Sequence, residues 1–145
     1  MEIGISTASL FKRQYNEDAL VTLDGLGARV VEVFLGSYCE YTKEFATLLK
    51  SRQGSLKVHS IHTLNTHFEP QLFGDNPRAI DDAYRILENC LSTANTLGAT
   101  NYTLHGIARF KKNCLRVRRF PRQARCRLRR LPAALRSWLP RDIRW

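Results

Sequence analysis

A carboxylate interrupts the most apolar run of the chain, "ARVVEVFL" at residues 28–35. Alternation along a strand puts Val31, Val33 and Leu35 on one face and Val30, Glu32 and Phe34 on the other. If helices cover the first face, Glu32 points to the opposite side, where a substrate or cation can pair with it. A structural carboxylate tied to a hydroxyl or basic side chain is the other role open to it. His62 ends the run "LKVHSIHTL" (56–64) and shares a face with Val58 and Ser60, whereas His59, three residues earlier, is expected on the other side. His59 and His62 are therefore not expected to chelate one ion, as an HxxH pair on a helix would. His105 closes "ATNYTLHG" (99–106) just before Gly106, whose lack of a side chain lets a loop approach a ligand. Each histidine has a plain structural reading as a hydrogen-bonded group beside its reading as a site residue. His67, Phe68 and Glu69 follow the His62 strand, with Phe73 beyond them. Phe68 and Phe73 are candidates either to line a pocket or to cap it.

These residues need elements to hold them, and the pattern supplies them in alternation. "EIGIST" reads as a strand. "NEDALVTLDGL" reads as a helix capped by Asn16 and ended by Gly27. After the strand at 28–35, Ser37 and Glu40 have capping-box spacing for a helix from about 38 to 52. After the strand at 56–64, Asn76 caps, Pro77 takes the first helical position, and Ile80, Ala83, Leu87, Leu91, Ala94 and Leu97 form a stripe ended by Gly98. Cys39 and Cys90 fall in the second and third of these helices and read as small core residues. The strand at 99–106 is the fourth. Strand-helix alternation of this kind predicts an α/β fold with a parallel sheet covered by helices.

The charge divides sharply along the chain. The net charge of +10 would suggest a nucleic-acid or anionic-membrane partner. Yet residues 1–108 hold nine Lys/Arg against twelve Asp/Glu, and residues 109–145 hold fourteen against one. Residues 113–145 contain eleven arginines, three prolines, and no Lys, Gly, Glu, His, Tyr or Thr. Proline breaks every helix longer than about ten residues there. Natural basic arms mix Arg with Lys, Ser and Gly; this composition is that of GC-rich coding sequence read in a shifted frame. Two segments follow: 1–112, an ordered α/β segment, and 113–145, an irregular Arg/Pro-rich tail that is frameshifted or disordered. The four cysteines show no paired spacing for a disulfide or zinc framework. Met1-Glu2 leads straight into a strand without a signal-like segment, and no run reaches the ~18 apolar residues of a membrane span. The expected location is the cytoplasm.

"IGIST", "VVEVFL", "EYTKEFATLLK", "LKVHSIHTLNTHFEPQLF" and "LGATNYTLHG" together resemble the sugar phosphate isomerases/epimerases with a xylose-isomerase-like TIM barrel. The resemblance spans nearly all of residues 1–110 and implies the first four strands and three helices of a (β/α)8 barrel, which closes with eight strands over about 250 residues. It implies a mouth at the carboxyl ends of the strands, with Glu32, His62, His105 and Phe68 as substrate-binding residues on its wall. Intact relatives use a divalent metal, held mainly by ligands on later strands, to assist proton transfer on a sugar or sugar phosphate. His62 and His105 are the candidate metal contacts in this chain, an incomplete set without carboxylates, so tight metal binding and more than slight turnover are not expected. Metal-dependent apurinic endonucleases share the barrel and use histidines on strands three and four, an alternative within the superfamily. A third possibility is an interaction module whose Arg-rich tail binds nucleic acid, although any such tail binds polyanions non-specifically at low salt. Exposed barrel edges imply self-association.

Overall fold

The computed structural model describes residues 3–64 and 66–105. The chain divides at Gly106, and the described residues belong to the first unit, Met1–Gly106. The tail and the expected boundary after residue 112 lie outside the described residues.

Within that unit the elements alternate as the pattern requires: β1 (Gly4–Ser6), α1 (Asn16–Gly25), β2 (Val30–Leu35), α2 (Lys43–Arg52), β3 (Lys57–Thr63), α3 (Pro77–Leu97) and β4 (Asn101–Thr103). Short 3-10 turns at Thr7–Ser9, Tyr38–Glu40 and Glu69–Phe73 follow the first three strands. All strand pairs are parallel, in the spatial order β1-β2-β3-β4. Consecutive helices pack side by side, α2 against both α1 and α3. Val31, Val33, Leu35 and Ile61 are sealed on the helix side, with Leu20, Leu49, Cys90 and Ala94 as their helical counterparts. The opposite face carries Ser6, Glu32, Ser60 and His62. No helix of the described residues is long and apolar enough to cross a membrane.

The third helix forms as its sequence dictates. The Asn76 side chain accepts from the Arg78 N–H, Pro77 opens the first turn, and Gly98 ends it in the left-handed region at φ 75°. Asn16 departs from expectation. Tyr15 occupies the N-cap position of α1. Asn16 is instead buried, and its Nδ2 donates to the Phe34 carbonyl at 2.6 Å and to Glu40 Oε1 at 2.9 Å. A buried carbonyl at the end of β2 needed a donor, and that need outweighs a cap at a solvent-facing helix start. The Ser37–Glu40 capping box is present, but it closes the 3-10 turn; α2 starts later, capped by Thr42 through the Phe45 N–H. Burial is the first cause that raises the Glu40 carboxyl above the ordinary range, against the lowering effect of the Gly36 N–H, Asn16 and the Ser37 N–H.

Register supplies another departure. Val31 pairs with Val58, but Glu32 pairs with Ser60, so His59 is an extra residue in β3. The bulge resets the alternation. Val58 therefore sits on the helix-covered side with Val31, not on the face of Ser60 and His62. His59 is not sent to the opposite side either: its ring meets Asn101, which stands in register with Ser60, and Asn101 Nδ2 lies 3.3 Å from both its Nε2 and its carbonyl.

The two cysteines also part company. Cys90 is buried in α3, where burial and, secondarily, Glu69 push its thiol up. Cys39, expected in the core, is exposed on the Tyr38–Glu40 turn, its Sγ 3.2 Å from Ser37 Oγ, because the chain has not yet entered α2. Brief iodoacetamide treatment of the folded chain, mapped by peptide mass spectrometry, is expected to modify Cys39 and spare Cys90, with the difference erased in urea.

Candidate functional site

Four side chains on the helix-free face and its upper rim form one continuous polar row. Glu32 is in the middle of β2 because Val31 and Val33 must face the helices, which leaves the intervening side chain to the other side. Its Oε1 accepts from Ser6 Oγ at 2.8 Å and its Oε2 from Ser60 Oγ at 3.1 Å, so hydroxyls from both neighbouring strands hold it. Glu32 Oε1 also stands 3.3 Å from His62 Nδ1, both side chains being partly exposed. Across the next gap, His62 Nε2 and His105 Nε2 are 3.0 Å apart. His105 Nδ1 then faces Glu69, 3.4 Å from Oε2.

Glu69 anchors the row. Its side chain is 0% exposed, accepts from Thr63 Oγ1 at 2.9 Å and takes the His105 backbone N–H at 2.7 Å. Thr63 Oγ1 also meets Tyr102 Oη at 2.8 Å. Since threonine has a single hydroxyl proton and gives it to Glu69, Tyr102 must donate to Thr63. Burial raises the Tyr102 phenol above its ordinary value, which keeps that proton in place.

The hydrogen bonds give the row a direction. His105 Nδ1 is within hydrogen-bonding reach of Glu69 and carries the proton between them, leaving its Nε2 as an acceptor. His62 Nε2–H is then the donor of the pair. A neutral His62 would turn a bare Nδ1 lone pair toward Glu32, and this buried Nδ1 indeed makes no hydrogen bond in the structure. Placing a proton on Nδ1 converts that repulsive contact into an ion pair with Glu32. The arrangement puts one carboxylate directly against His62 and a second behind it through His105.

Glu32, His62 and His105 are thus brought together. Phe68 is not exposed to the same space: it is 1% exposed and packs edge-on against Tyr41 with ring centroids 5.7 Å apart. His67 also lies outside the row, stacked on Tyr38 at 4.6 Å and paired through Nδ1 with Tyr41 Oη at 2.9 Å. Phe73 closes the Glu69–Phe73 turn and is half-buried. Sequence reasoning gave Glu69 no role beyond the loop, and it missed Ser6, Thr63 and Tyr102. The available signal was a hydroxyl at the carboxyl end of both β1 and β3, Ser6 and Thr63, where a carboxylate on the next element can be held.

Beside Glu32 the surface hollows into a cleft of about 420 Å³, lined by Gly4, Ser6, Val30, Glu32, His59 and Ser60. A larger cavity of about 560 Å³ runs between α3 and the Glu69–Phe73 turn, past Tyr38, His67 and Gln71. Of the two, only the smaller cleft is lined by a member of the row, Glu32. No protein-family model matches the chain, and no curated protein is significantly similar to it.

The divalent metal implied by the resemblance can be tested against these side chains. The facing Nε2 atoms are near enough to approach one ion, and Glu32 and Glu69 stand behind the two Nδ1 atoms as supporting carboxylates do. Among the described residues, however, no group of three or more His, Cys, Asp or Glu side chains is placed to hold a metal. Two nitrogens do not make a complete divalent site.

Burial decides which carboxylate matters more for stability. Glu69→Ala strands the Thr63 hydroxyl and the His105 N–H and is expected to cost about 2–3 kcal/mol. Glu32→Ala removes solvent-screened contacts and is expected to cost about 1 kcal/mol or less. Urea midpoints at constant slope check the order; equal losses would show that the half-exposed pair is as strong as the buried one.

Proposed function

We propose that this chain is the amino-terminal half of a sugar phosphate isomerase/epimerase-like barrel, retaining part of the substrate-facing wall and turning over no sugar by itself. The observation that carries the reading is the placement of Glu32, His62 and His105 in one polar row on the helix-free face of a four-stranded parallel sheet. In a barrel that face is the lumen side, and sites are built at the carboxyl ends of the strands. Glu32 suits a sugar hydroxyl, since its carboxylate oxygens accept hydrogen bonds from the hydroxyls of Ser6 and Ser60 at the edge of the cleft. His105 suits the same ligand from the next strand. Phe68 supports the wall from within the core.

A divalent metal, when held by intact relatives, polarises the sugar carbonyl as a Lewis acid. The residues of this chain do not complete such a site, and no step here runs through a metal. What the row does by itself is orient a polyhydroxy ligand and accept a proton at His62 Nδ1 against Glu32. Proton transfer next to a carbonyl needs a second acid–base group on the opposite side of the substrate. In this reading the strands bearing it belong to the missing half, and the Arg-rich segment from Asn113 is the product of a shifted reading frame.

Saturation-transfer NMR with a panel of aldose and ketose phosphates is expected to show weak binding that His62→Ala and His105→Ala abolish. No interconversion of the sugars is expected, with or without added Mn²⁺. Turnover blocked by a chelator would overturn the inactive-half reading, and binding unchanged in both variants would overturn the site. The coding DNA beyond codon 112 provides a second check: one of the other two frames is expected to continue the strand-helix alternation with metal-ligand carboxylates and histidines.

A further inference from the structure

All three helices pack side by side on one face of the sheet, and β1 and β4 are its two edges. Among the described residues, no strand pairs with the outer side of either. Within the described residues each edge therefore presents a row of backbone donors and acceptors unpaired by any strand and of the same polarity. Each also carries an exposed apolar side chain on the helix-covered face. Ile5, in register with Val31, is 38% exposed; Leu104 is 37% exposed and follows Thr103, which stands in register with His62 on the other face.

We propose that the partner of both edges is a second copy of this chain. The two sheets are related by a two-fold axis along the strands, with β1 of each copy pairing in parallel with β4 of the other. Strand polarity selects this occupant. A single added strand satisfies one edge and leaves the second open. Antiparallel pairing of β1 with β1 leaves both β4 edges unpaired. The head-to-tail two-fold arrangement closes both junctions at once, leaves no edge, and reaches eight strands, a number at which a barrel interior is filled by side chains. The two edges also match in length, β1 and β4 having three residues each.

Closure changes the site. The helix-free face becomes a lumen, and each copy contributes Glu32, His62, His105 and Glu69, so two polar rows face one another around one mouth. A ligand there is held by side chains of both copies. This shares with the sugar-binding reading the view of four strands as half a barrel. Its test is hydrodynamic and covalent, so it can fail while sugar binding holds, and the reverse.

Sedimentation velocity of the full chain over the micromolar range is expected to give a single species of twice the chain mass. Ile5→Cys and Leu104→Cys proteins, one of them labelled with ¹⁵N, are then mixed and treated with a short bis-maleimide. Peptide mass spectrometry is expected to find links between the two substituted positions on different copies, and none joining either position to itself. A monomer at every concentration overturns the proposal, as it means that the edges are covered within one chain. Self-links at position 5 indicate antiparallel pairing and overturn it equally. A ladder of higher oligomers shows head-to-tail association that does not close, and also overturns it.

Discussion

The Glu69 carboxylate, sealed from solvent, ties the upper end of this sheet together. It reaches back from the turn after β3 to Thr63 on β3 itself and to the backbone beyond β4. A buried carboxylate without partners is expensive, so those donors must be present whenever the fold is. That requirement fixes the position of His105 at the start of its loop, and His105 in turn fixes the polarity of the imidazole pair. Glu32 is constrained far less. It is half open to solvent, held by two hydroxyls, and available to respond to what binds beside it. The row is consequently rigid at the Glu69 end and adjustable at the Glu32 end.

Much of this was legible in the residues. The positions of the strands follow from short apolar runs, and α3 from a proline, a cap and a stripe that agree with one another. Glu32, His62 and His105 stand out because each is a polar group at a place where alternation or a strand end exposes it to one face. The illegible parts share a physical origin in tertiary need. Asn16 has the chemistry of a cap, but the Phe34 carbonyl and Glu40 claim its amide. Ser37 and Glu40 do form a capping box, yet on a turn that stops before α2 begins, which leaves Cys39 at the surface. Local spacing identifies a possible bond without saying which of several partners will make it.

The bulge at His59 is the clearest case. Strict alternation puts Val58, Ser60 and His62 together, and it gives the right answer for the last two by starting from the wrong first residue. No glycine or proline marks the extra residue; "LKVHSIHTL" reads as an uninterrupted strand. The register with β2 forces the irregularity. Val58 must pair with Val31 under the helices, while Ser60 must reach Glu32. Burial of one pair and hydrogen bonding of the other are both satisfied only if one residue between them is left out of the ladder. The carboxylate in β2 thus shapes β3 as well as the chemistry.

A one-sided helix layer also explains why the polar row exists. In a parallel sheet covered on both faces, strands read as continuous apolar runs. Here one face of each central strand mixes apolar residues with Glu, Ser and His, although its helix face is apolar except for Thr63, whose hydroxyl is satisfied by Glu69 and Tyr102. Those polar groups are compatible with water or with a polar interior, not with a second helix layer. The sequence thereby suits that face of the sheet to polar partners rather than to a second layer of helices. On that face Glu32 and Glu69 stand at the two ends of the row with the two imidazoles between them, so each histidine is oriented by a carboxylate on its own Nδ1 side.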